Sequence, residues 1–170
     1  MPGPVIIVDY DPHWPDLFEE LRALVVAALN GLVVIVEHVG STAVPGLAAK
    51  PIIDMDVVVP SVADIPEAIA RLATLNYFHR GDLGIHGREA FISPAGTPRH
   101  HLYVCALGGD ELRRHRSFRN HLLTHPDDAR AYGALKKAAA LRFAENRAAY
   151  NEAKTQFAEA VLKRALSGGD

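Results

Sequence analysis

The feature that most constrains the fold is a pair of aspartates inside an apolar run at residues 52–59, Ile-Ile-Asp-Met-Asp-Val-Val-Val. Such a short run, rich in β-branched residues, is typical of a strand buried in a sheet. Because side chains alternate between the faces of a strand, Asp54 and Asp56 are predicted to point the same way, about 7 Å apart. Two carboxylates this close need a cation, and oxygen ligands favour Mg²⁺ or Mn²⁺.

The loop before this strand is built from small residues that suit an anion. An apolar strand over Leu32–Val39 is predicted to end at Gly40 and Ser41. Glycine permits close backbone approach, and turn N–H groups with the serine hydroxyl can hold phosphate oxygens. The further candidates for phosphate contact in and beside this loop are His38, Thr42 and Lys50. Phosphate beside a metal held by two aspartates is the arrangement of nucleotidyl transfer.

The spacing of these residues resembles a known signature. Gly40-Ser41, followed after twelve residues by Asp54-x-Asp56, is similar to the motif of the nucleotidyltransferase superfamily with the polymerase β-like fold. The whole string at 38–54, His-Val-Gly-Ser-Thr-Ala-Val-Pro-Gly-Leu-Ala-Ala-Lys-Pro-Ile-Ile-Asp, is more specific and closely resembles the GrpB family. Both resemblances point to a fold that places a nucleotide beside a metal.

The resemblance to GrpB extends from the region of Trp14 to the last helix, and it implies an α+β fold. In that fold a nucleotidyltransferase-like mixed β-sheet core with helices is followed by a helical C-terminal part. The order of predicted elements favours the same class: helix and strand alternate early, and a hairpin then precedes three helices. Val5–Val8 is predicted as a short edge strand, and Trp14 as a core anchor at the start of the first helix.

Length and composition predict a single domain over residues 1–170, with the core to about 107 and the helical part over about 108–166. The net charge of −2 argues against nucleic acid as a general partner, since nucleic-acid-binding domains are usually basic. The one cysteine excludes an intrachain disulfide, and no secretory signal or membrane-spanning run is recognisable. We therefore expect a cytoplasmic protein without a membrane partner.

The predicted hairpin at residues 88–106 leaves the third metal ligand open. GrpB members often carry His-Leu-His on its second strand, whereas this chain has His101 followed by Tyr103 in place of the second histidine. Many nucleotidyltransferases place a third carboxylate on the equivalent strand. His101, Glu37 or Glu89 could complete the site, or the site binds one metal and is catalytically weak.

Two arginines are further candidates for phosphate contact. Arg88 could meet a phosphate through two parallel hydrogen bonds, or it could form an ion pair with Glu89. Arg119 belongs to a basic helix predicted over 111–124, and the phenylalanine–arginine pair that the GrpB family carries there implies that it lines the site. Three residues of the last two helices are candidates to face the cleft: Lys136, Tyr150 and Lys154. For Tyr150 and Lys154, together with Phe157, we favour ordinary packing at the rim of the cleft.

Three functions are compatible with this pattern. The first is a metal-dependent transfer of a nucleotidyl group from a nucleoside triphosphate to a small-molecule acceptor, with Asp54 and Asp56 as metal ligands and, with His101, as catalytic residues. The second is a non-catalytic nucleotide- or partner-binding module of the GrpB type. Domains of that family also occur fused to dephospho-CoA kinase, which implies a link to coenzyme A biosynthesis. The third is a metal-binding protein or hydrolase that uses His101 with the aspartates.

Overall fold

The computed structural model describes residues 3–168 and has an α+β architecture, in which helices cover both faces of one mixed sheet. Within these residues the helices are α1 (Trp14–Leu29), α2 (Ile65–Ala73), α3 (Asp110–Thr124), α4 (Pro126–Arg142) and α5 (Arg147–Ser167). The strands are β1 (Ile35–Val39), β2 (Ile53–Val59), β3 (Phe78–His79), β4 (Glu89–Ile92) and β5 (His100–Ala106). The predicted fold class, an α+β sheet followed by a helical C-terminal part, is confirmed.

The sheet order β1-β2-β5-β4-β3 places the aspartate strand between β1 and β5. The β1–β2 pair is antiparallel and aligns Glu37 with Asp56, whereas the β2–β5 pair is parallel and aligns His101 with Asp54. Paired residues in a sheet share a face, so both neighbouring strands bring polar side chains to the face that carries the aspartates. The topology therefore gathers groups that are far apart in the sequence.

The side chains of β2 alternate between a core face and a polar face of the sheet. Met55 and Val57 are fully buried in the main core, which α1 and α2 cover. Trp14 is 3% exposed in the same core, which confirms its prediction as an anchor. Asp54 and Asp56 lie on the opposite face, which α3 covers, and α4 and α5 pack against α3. The two aspartates thus share one face, as the strand period predicts.

The predicted edge strand over Val5–Val8 is reduced to one isolated bridge between Val8 and Ala49. Strand β1 also begins three residues later than predicted, at Ile35 instead of Leu32, because the chain is still turning there. Asn30 and Gly31 both have positive φ, which ends α1 and redirects the backbone before the strand. Within the described residues, no helix is long and apolar enough to cross a bilayer.

Candidate functional site

The turn after β1 is shaped by direct contact between its glycine and the first aspartate. Gly40 has φ +72° and ψ −171°, a conformation that is essentially restricted to glycine. A Cβ atom on Gly40 would lie 2.4 Å from Oδ2 of Asp54, a distance that no real contact shows. The backbone therefore packs against the carboxylate, and this contact sets the Ser41–Ala43 turn beside the aspartates.

We predict that Gly40→Ala destabilises the fold by about 2 kcal/mol, because alanine is strained in this backbone conformation and its methyl group must displace the Asp54 carboxylate. Urea unfolding measures this loss, and binding of ATP with Mg²⁺ measures the accompanying damage to the site. Gly46→Ala is the matched control: Gly46 has φ +80° in the same loop, and no described atom lies within 4 Å of its Cβ position. If both variants lose ligand binding equally, backbone strain alone explains the effect and the carboxylate contact does not matter.

Each aspartate is hydrogen-bonded to a histidine from another element. Nδ1 of His101, on β5, lies 2.8 Å from Oδ1 of Asp54, and Nδ1 of His115, on α3, lies 2.6 Å from Oδ2 of Asp56. Because an ionised carboxylate only accepts hydrogen bonds, each imidazole donates through Nδ1. When His101 is neutral, its Nε2 therefore keeps a lone pair, which is the state of a proton acceptor.

Asp56 and His115 form a buried pair in which the pKa of each group is raised. Burial raises the pKa of Asp56, which is fully buried, while the hydrogen bond from His115 opposes that rise. Burial also acts to lower the pKa of His115, but the hydrogen bond and charge of Asp56 outweigh it and leave this pKa raised. Oδ1 of Asp56 is also buried, and no atom of residues 3–168 forms a hydrogen bond with it.

The other acids proposed to complete a metal site are engaged elsewhere. Glu37 accepts from Arg116 at 2.8 Å and from Arg119 at 2.5 Å. Glu89 contacts His79 at 2.5 Å and is paired with Val104, whose side chain belongs to the main core on the opposite face of the sheet. In the described part of the chain, no group of three or more His, Cys, Asp or Glu side chains has the arrangement of a metal site. Among the residues proposed as metal ligands, those that remain available are the two aspartates and His101, which is bonded to Asp54.

His38 and Arg119 support the turn from behind. The ring of His38 stacks on Phe18 with centroids 4.6 Å apart, and its Nε2 lies 2.9 Å from Oγ1 of Thr42. Burial lowers the pKa of His38 to about 4, so the ring is neutral near pH 7. Arg119 donates to the carbonyl oxygen of His38 at 3.0 Å, in addition to its ion pair with Glu37. Both residues, which the sequence suggested as phosphate ligands, therefore make contacts that hold the end of β1 and the following turn in place.

A cavity of about 260 Å³ lies beside the turn, between β2, β5, α4 and α5, and we call it the lysine cavity. Its lining includes Ser41, Thr42, Lys50, Asp54, His101, Tyr103, Tyr132, Lys136, Tyr150 and Lys154. Lys136 is 2% exposed, and its ammonium donates to Oγ of Ser41 at 2.8 Å. The ammonium groups of Lys50 and Lys154 lie 4.6 and 5.5 Å from the centre of the Tyr150 ring. Three lysines from three parts of the sequence thus converge on one small volume.

The proximity of the three lysines makes their charged forms unfavourable. Burial, and secondly the charge of Lys154, lower the pKa of Lys136 to about 7 and that of Lys50 to about 8. Burial also lowers the pKa of Lys154. The charge of Asp54 acts in the opposite direction on all three pKa values. An anion that entered this cavity would favour the charged lysines in the same way, so the cavity is suited to bind one.

A second cavity of about 290 Å³, which we call the arginine cavity, shares Asp54, Tyr103 and Lys154 with the first. Its other lining residues are Val39, Gly40, Arg88, Glu111, Arg114, His115, Phe118, Ala158 and Leu162. The guanidinium of Arg88 lies 4.4 Å from the centre of the Tyr103 ring. The two cavities are therefore neighbours with Asp54 in the wall of both, and we refer to them together as the cleft.

The structure brings together most of the site residues predicted from the sequence, and it adds one. Asp54, Gly40, Ser41, Thr42, Lys50, Arg88 and His101 line the cleft, and Asp56 lies beside it on the same strand face. Sequence reasoning missed His115. Lys136, Tyr150 and Lys154, which the sequence left between the cleft and its rim, line the lysine cavity. A signal for Lys136 was present, because it lies four residues after Tyr132 and four before Ala140, on the buried stripe of α4. A lysine at such a position requires a partner.

Several relatives are longer than this chain. The chain is 29% identical over 161 residues to the UPF0157 protein YqkA of Bacillus subtilis and covers 47% of its length. It is 28% identical over 195 residues to a protein named dephospho-CoA kinase from Mycolicibacterium paratuberculosis, again covering 47% of that protein. The chain thus spans about half the length of these curated relatives.

Other relatives match over their full length. The chain is 33% identical to the glutamate-rich protein GrpB of Alkalihalophilus pseudofirmus, covering 94% of this chain and 95% of that protein. The crystal structure of conserved protein GrpB from Enterococcus faecalis superposes with a TM-score of 0.87 and 33% identity, over 96% of this chain and 98% of that one. The family model described as GrpB protein matches residues 4–164. The chain therefore belongs to the GrpB family.

Proposed function

We propose that the protein is a metal-dependent nucleotidyltransferase, which moves a nucleotidyl group from a nucleoside triphosphate to a small acceptor. The observation that carries this proposal is the lysine cavity, where Lys50, Lys136 and Lys154 converge directly beside Asp54. A polyanion is favoured by the lysines, and a cation is favoured by the aspartates. A complex of a triphosphate with Mg²⁺ satisfies both requirements at once.

The donor set fits a metal that arrives with its nucleotide. Asp54 and Asp56 would hold Mg²⁺ or Mn²⁺, and the unpartnered Oδ1 of Asp56, within the described residues, is one available oxygen. Mg²⁺ is commonly held by one or two carboxylates and completes its coordination with water and substrate phosphates. When bound, the ion would supply Lewis-acid stabilisation of negative charge on the α-phosphate.

In the proposed step, the acceptor hydroxyl oxygen forms a bond to the α-phosphorus while the bond from that phosphorus to the bridging oxygen of pyrophosphate breaks. Pyrophosphate leaves with the electron pair, and the hydroxyl proton passes to Nε2 of His101, whose ring Asp54 orients through Nδ1. Gly40 and Ser41 hold the β- and γ-phosphates together with the three lysines. These cations stabilise the charge on the leaving pyrophosphate.

The direct test measures ATP and GTP binding by calorimetry with and without Mg²⁺, followed by assay of pyrophosphate release. We expect binding that depends on the metal, and release of pyrophosphate with water or an added hydroxy compound as acceptor. Nucleotide binding without any release supports the second candidate below. Nucleotide binding that does not depend on the metal contradicts the transferase, and absence of any nucleotide binding contradicts both functions.

We predict that ATP binding at pH 8 takes up protons. In the free protein Lys136, with a pKa of about 7, is mostly neutral at that pH, and the bound phosphates raise this pKa and restore the charge. The affinity for ATP should therefore fall as the pH rises from 7 to 9, by up to about tenfold per pH unit for each proton. Calorimetry in buffers of different ionisation enthalpy counts the protons, and a count of zero at pH 8 would contradict this role of the lysine.

A second candidate is a non-catalytic nucleotide-binding module. The observation that favours it is the absence of a third carboxylate on the polar face of β5, where this chain has His101 and Tyr103. The relative named dephospho-CoA kinase suggests an adenosine-containing ligand linked to coenzyme A biosynthesis. Either function draws on the nucleotides of the cytoplasm, where we propose that the protein acts.

A further inference from the structure

We infer that the arginine cavity selects an acceptor that carries an anionic group, a phosphate or a carboxylate, in addition to its reacting hydroxyl. The inference rests on the proposed function and deepens it by naming the chemical class of the acceptor. Its starting point is Arg88, whose guanidinium lines this cavity and stacks on Tyr103.

Arg88 contains a buried donor that the chain does not satisfy. Its Nε atom is buried and has no hydrogen-bond partner within residues 3–168. A buried donor without a partner is rare in native proteins, because it loses its hydration without compensation. A phosphate or carboxylate can accept from Nε and a terminal nitrogen of the same guanidinium at once, which explains why an arginine is suited to this position.

The acids around Arg88 are already paired with other cations. Glu89, the next residue in the chain, contacts His79 at 2.5 Å and belongs to the opposite face of the sheet. Glu111 lies 3.2 Å from the guanidinium of Arg114 and 3.6 Å from Nε2 of His115. Glu89 and Glu111 are thus engaged. The two aspartates each accept from a histidine and would hold the metal in the proposed function, so an external anion can pair with Arg88.

The walls of the arginine cavity fit a short acceptor that reaches Asp54. Phe118, Ala158 and Leu162 contribute apolar surface opposite the charged residues, which suits a few carbon atoms between an anionic group and a hydroxyl. Both cavities include Asp54, so a hydroxyl presented from the arginine cavity meets the α-phosphate of a nucleotide whose other phosphates occupy the lysine cavity. In-line displacement requires such an approach, with the acceptor and the leaving pyrophosphate on different sides.

The test follows the unpartnered atom itself by NMR. In a ¹H–¹⁵N spectrum of arginine side chains, the Nε–Hε signal of Arg88 is assigned by its loss in Arg88→Gln. The intact protein is titrated with glycerol, glycerate and glycerol 3-phosphate, each with and without Mg²⁺ and the α,β-methylene analogue of ATP. We expect the Arg88 signal to move with glycerate or glycerol 3-phosphate and not with glycerol. The compound that moves the signal at the lower concentration shows whether the site prefers a carboxylate or a phosphate.

The second arm measures transfer from ATP labelled at the α-phosphate to the same three compounds. The anionic compounds should be better acceptors than glycerol by at least about tenfold, and Arg88→Gln should remove that preference. Arg80→Gln is the control, because Arg80 is an exposed arginine outside the cavity lining. Unchanged affinity of Arg88→Gln for the ATP analogue separates acceptor selection from nucleotide binding.

The outcomes separate the two proposals. A signal that moves with the ATP analogue and not with the anionic compounds assigns Arg88 to the nucleotide, and it overturns this inference while the proposed function stands. Equal response to glycerol and to its charged counterparts overturns it as well. If the analogue does not bind at all but glycerol 3-phosphate still moves the signal, the anion site is supported and the transferase proposal fails.

Discussion

Asp54→Asn is expected to abolish the effect of Mg²⁺ on ATP binding and to lower pyrophosphate release by at least about 100-fold. The asparagine keeps an acceptor oxygen for His101, so the local hydrogen bond survives while the charge that attracts the metal is lost. Metal-free pyrophosphate should bind as tightly as before or more tightly, because a negative charge beside the three lysines has been removed. Calorimetry with pyrophosphate and with ATP, each with and without Mg²⁺, measures both effects.

The opposite responses of the two ligands make this variant informative. Asp16→Asn, at an exposed position in the first turn of α1, provides a matched loss of one carboxylate away from the cleft. Since Asp54 also packs against Gly40, a purely structural role predicts weaker binding of both ligands. Equal losses for metal-free pyrophosphate and for ATP with Mg²⁺ would therefore rule out Asp54 as a metal ligand.

Lys136→Met is expected to weaken pyrophosphate and ATP binding by about 10- to 100-fold without lowering the free energy of unfolding. The buried ammonium is unfavourable in the free protein, as its pKa of about 7 indicates, and methionine has a similar length without the charge. The variant should also lose the proton uptake predicted for ATP binding at pH 8. Urea unfolding and calorimetry measure the two properties separately.

The neighbouring lysine provides the control for this prediction. Lys137 follows directly in α4 but is half-exposed and pairs with Asp9 on the surface. Lys137→Met should leave both ligand affinities within about twofold of the native values, because exposed pairs contribute little. A large loss of stability in Lys136→Met, with little change in affinity, would show that the residue serves the packing of α4 and does not bind phosphate.

Much of the fold follows from local patterns in the sequence. The start of α1 at Trp14 and the end of the hairpin at Ala106 agree with the sequence prediction, because turn residues mark both points. The family was likewise predicted from the string at 38–54 and is confirmed. The prediction of an edge strand at Val5–Val8 was wrong, because a single bridge to Ala49 does not form a ladder. An apolar run alone does not show which strand it will pair with. The assignment of one domain to residues 1–170 stays a prediction.

The candidate site was predictable where its residues are close in the sequence. Gly40, Ser41 and the two aspartates share one strand–turn–strand unit, so their chemistry and relative orientation can be predicted from alternation alone. For Lys136 and Lys154 the sequence left open whether the side chain faces the cleft, because a helical pattern alone does not show which face of the helix meets it. Their role depends on α4 and α5 lying against a turn that is about 95 to 113 residues earlier in the chain, which no local pattern encodes.

By itself, the sequence determined that a buried strand carries two carboxylates on one face beside a small-residue turn, because strand alternation and glycine stereochemistry are local properties. Only the tertiary structure decided which cations face that turn, which acids are already paired, and that Asp54 lies in the wall of two cavities. These depend on the order of strands in the sheet and on the packing of helices over it. Both are set by the burial of apolar surface over the whole chain, which is not encoded in any single segment.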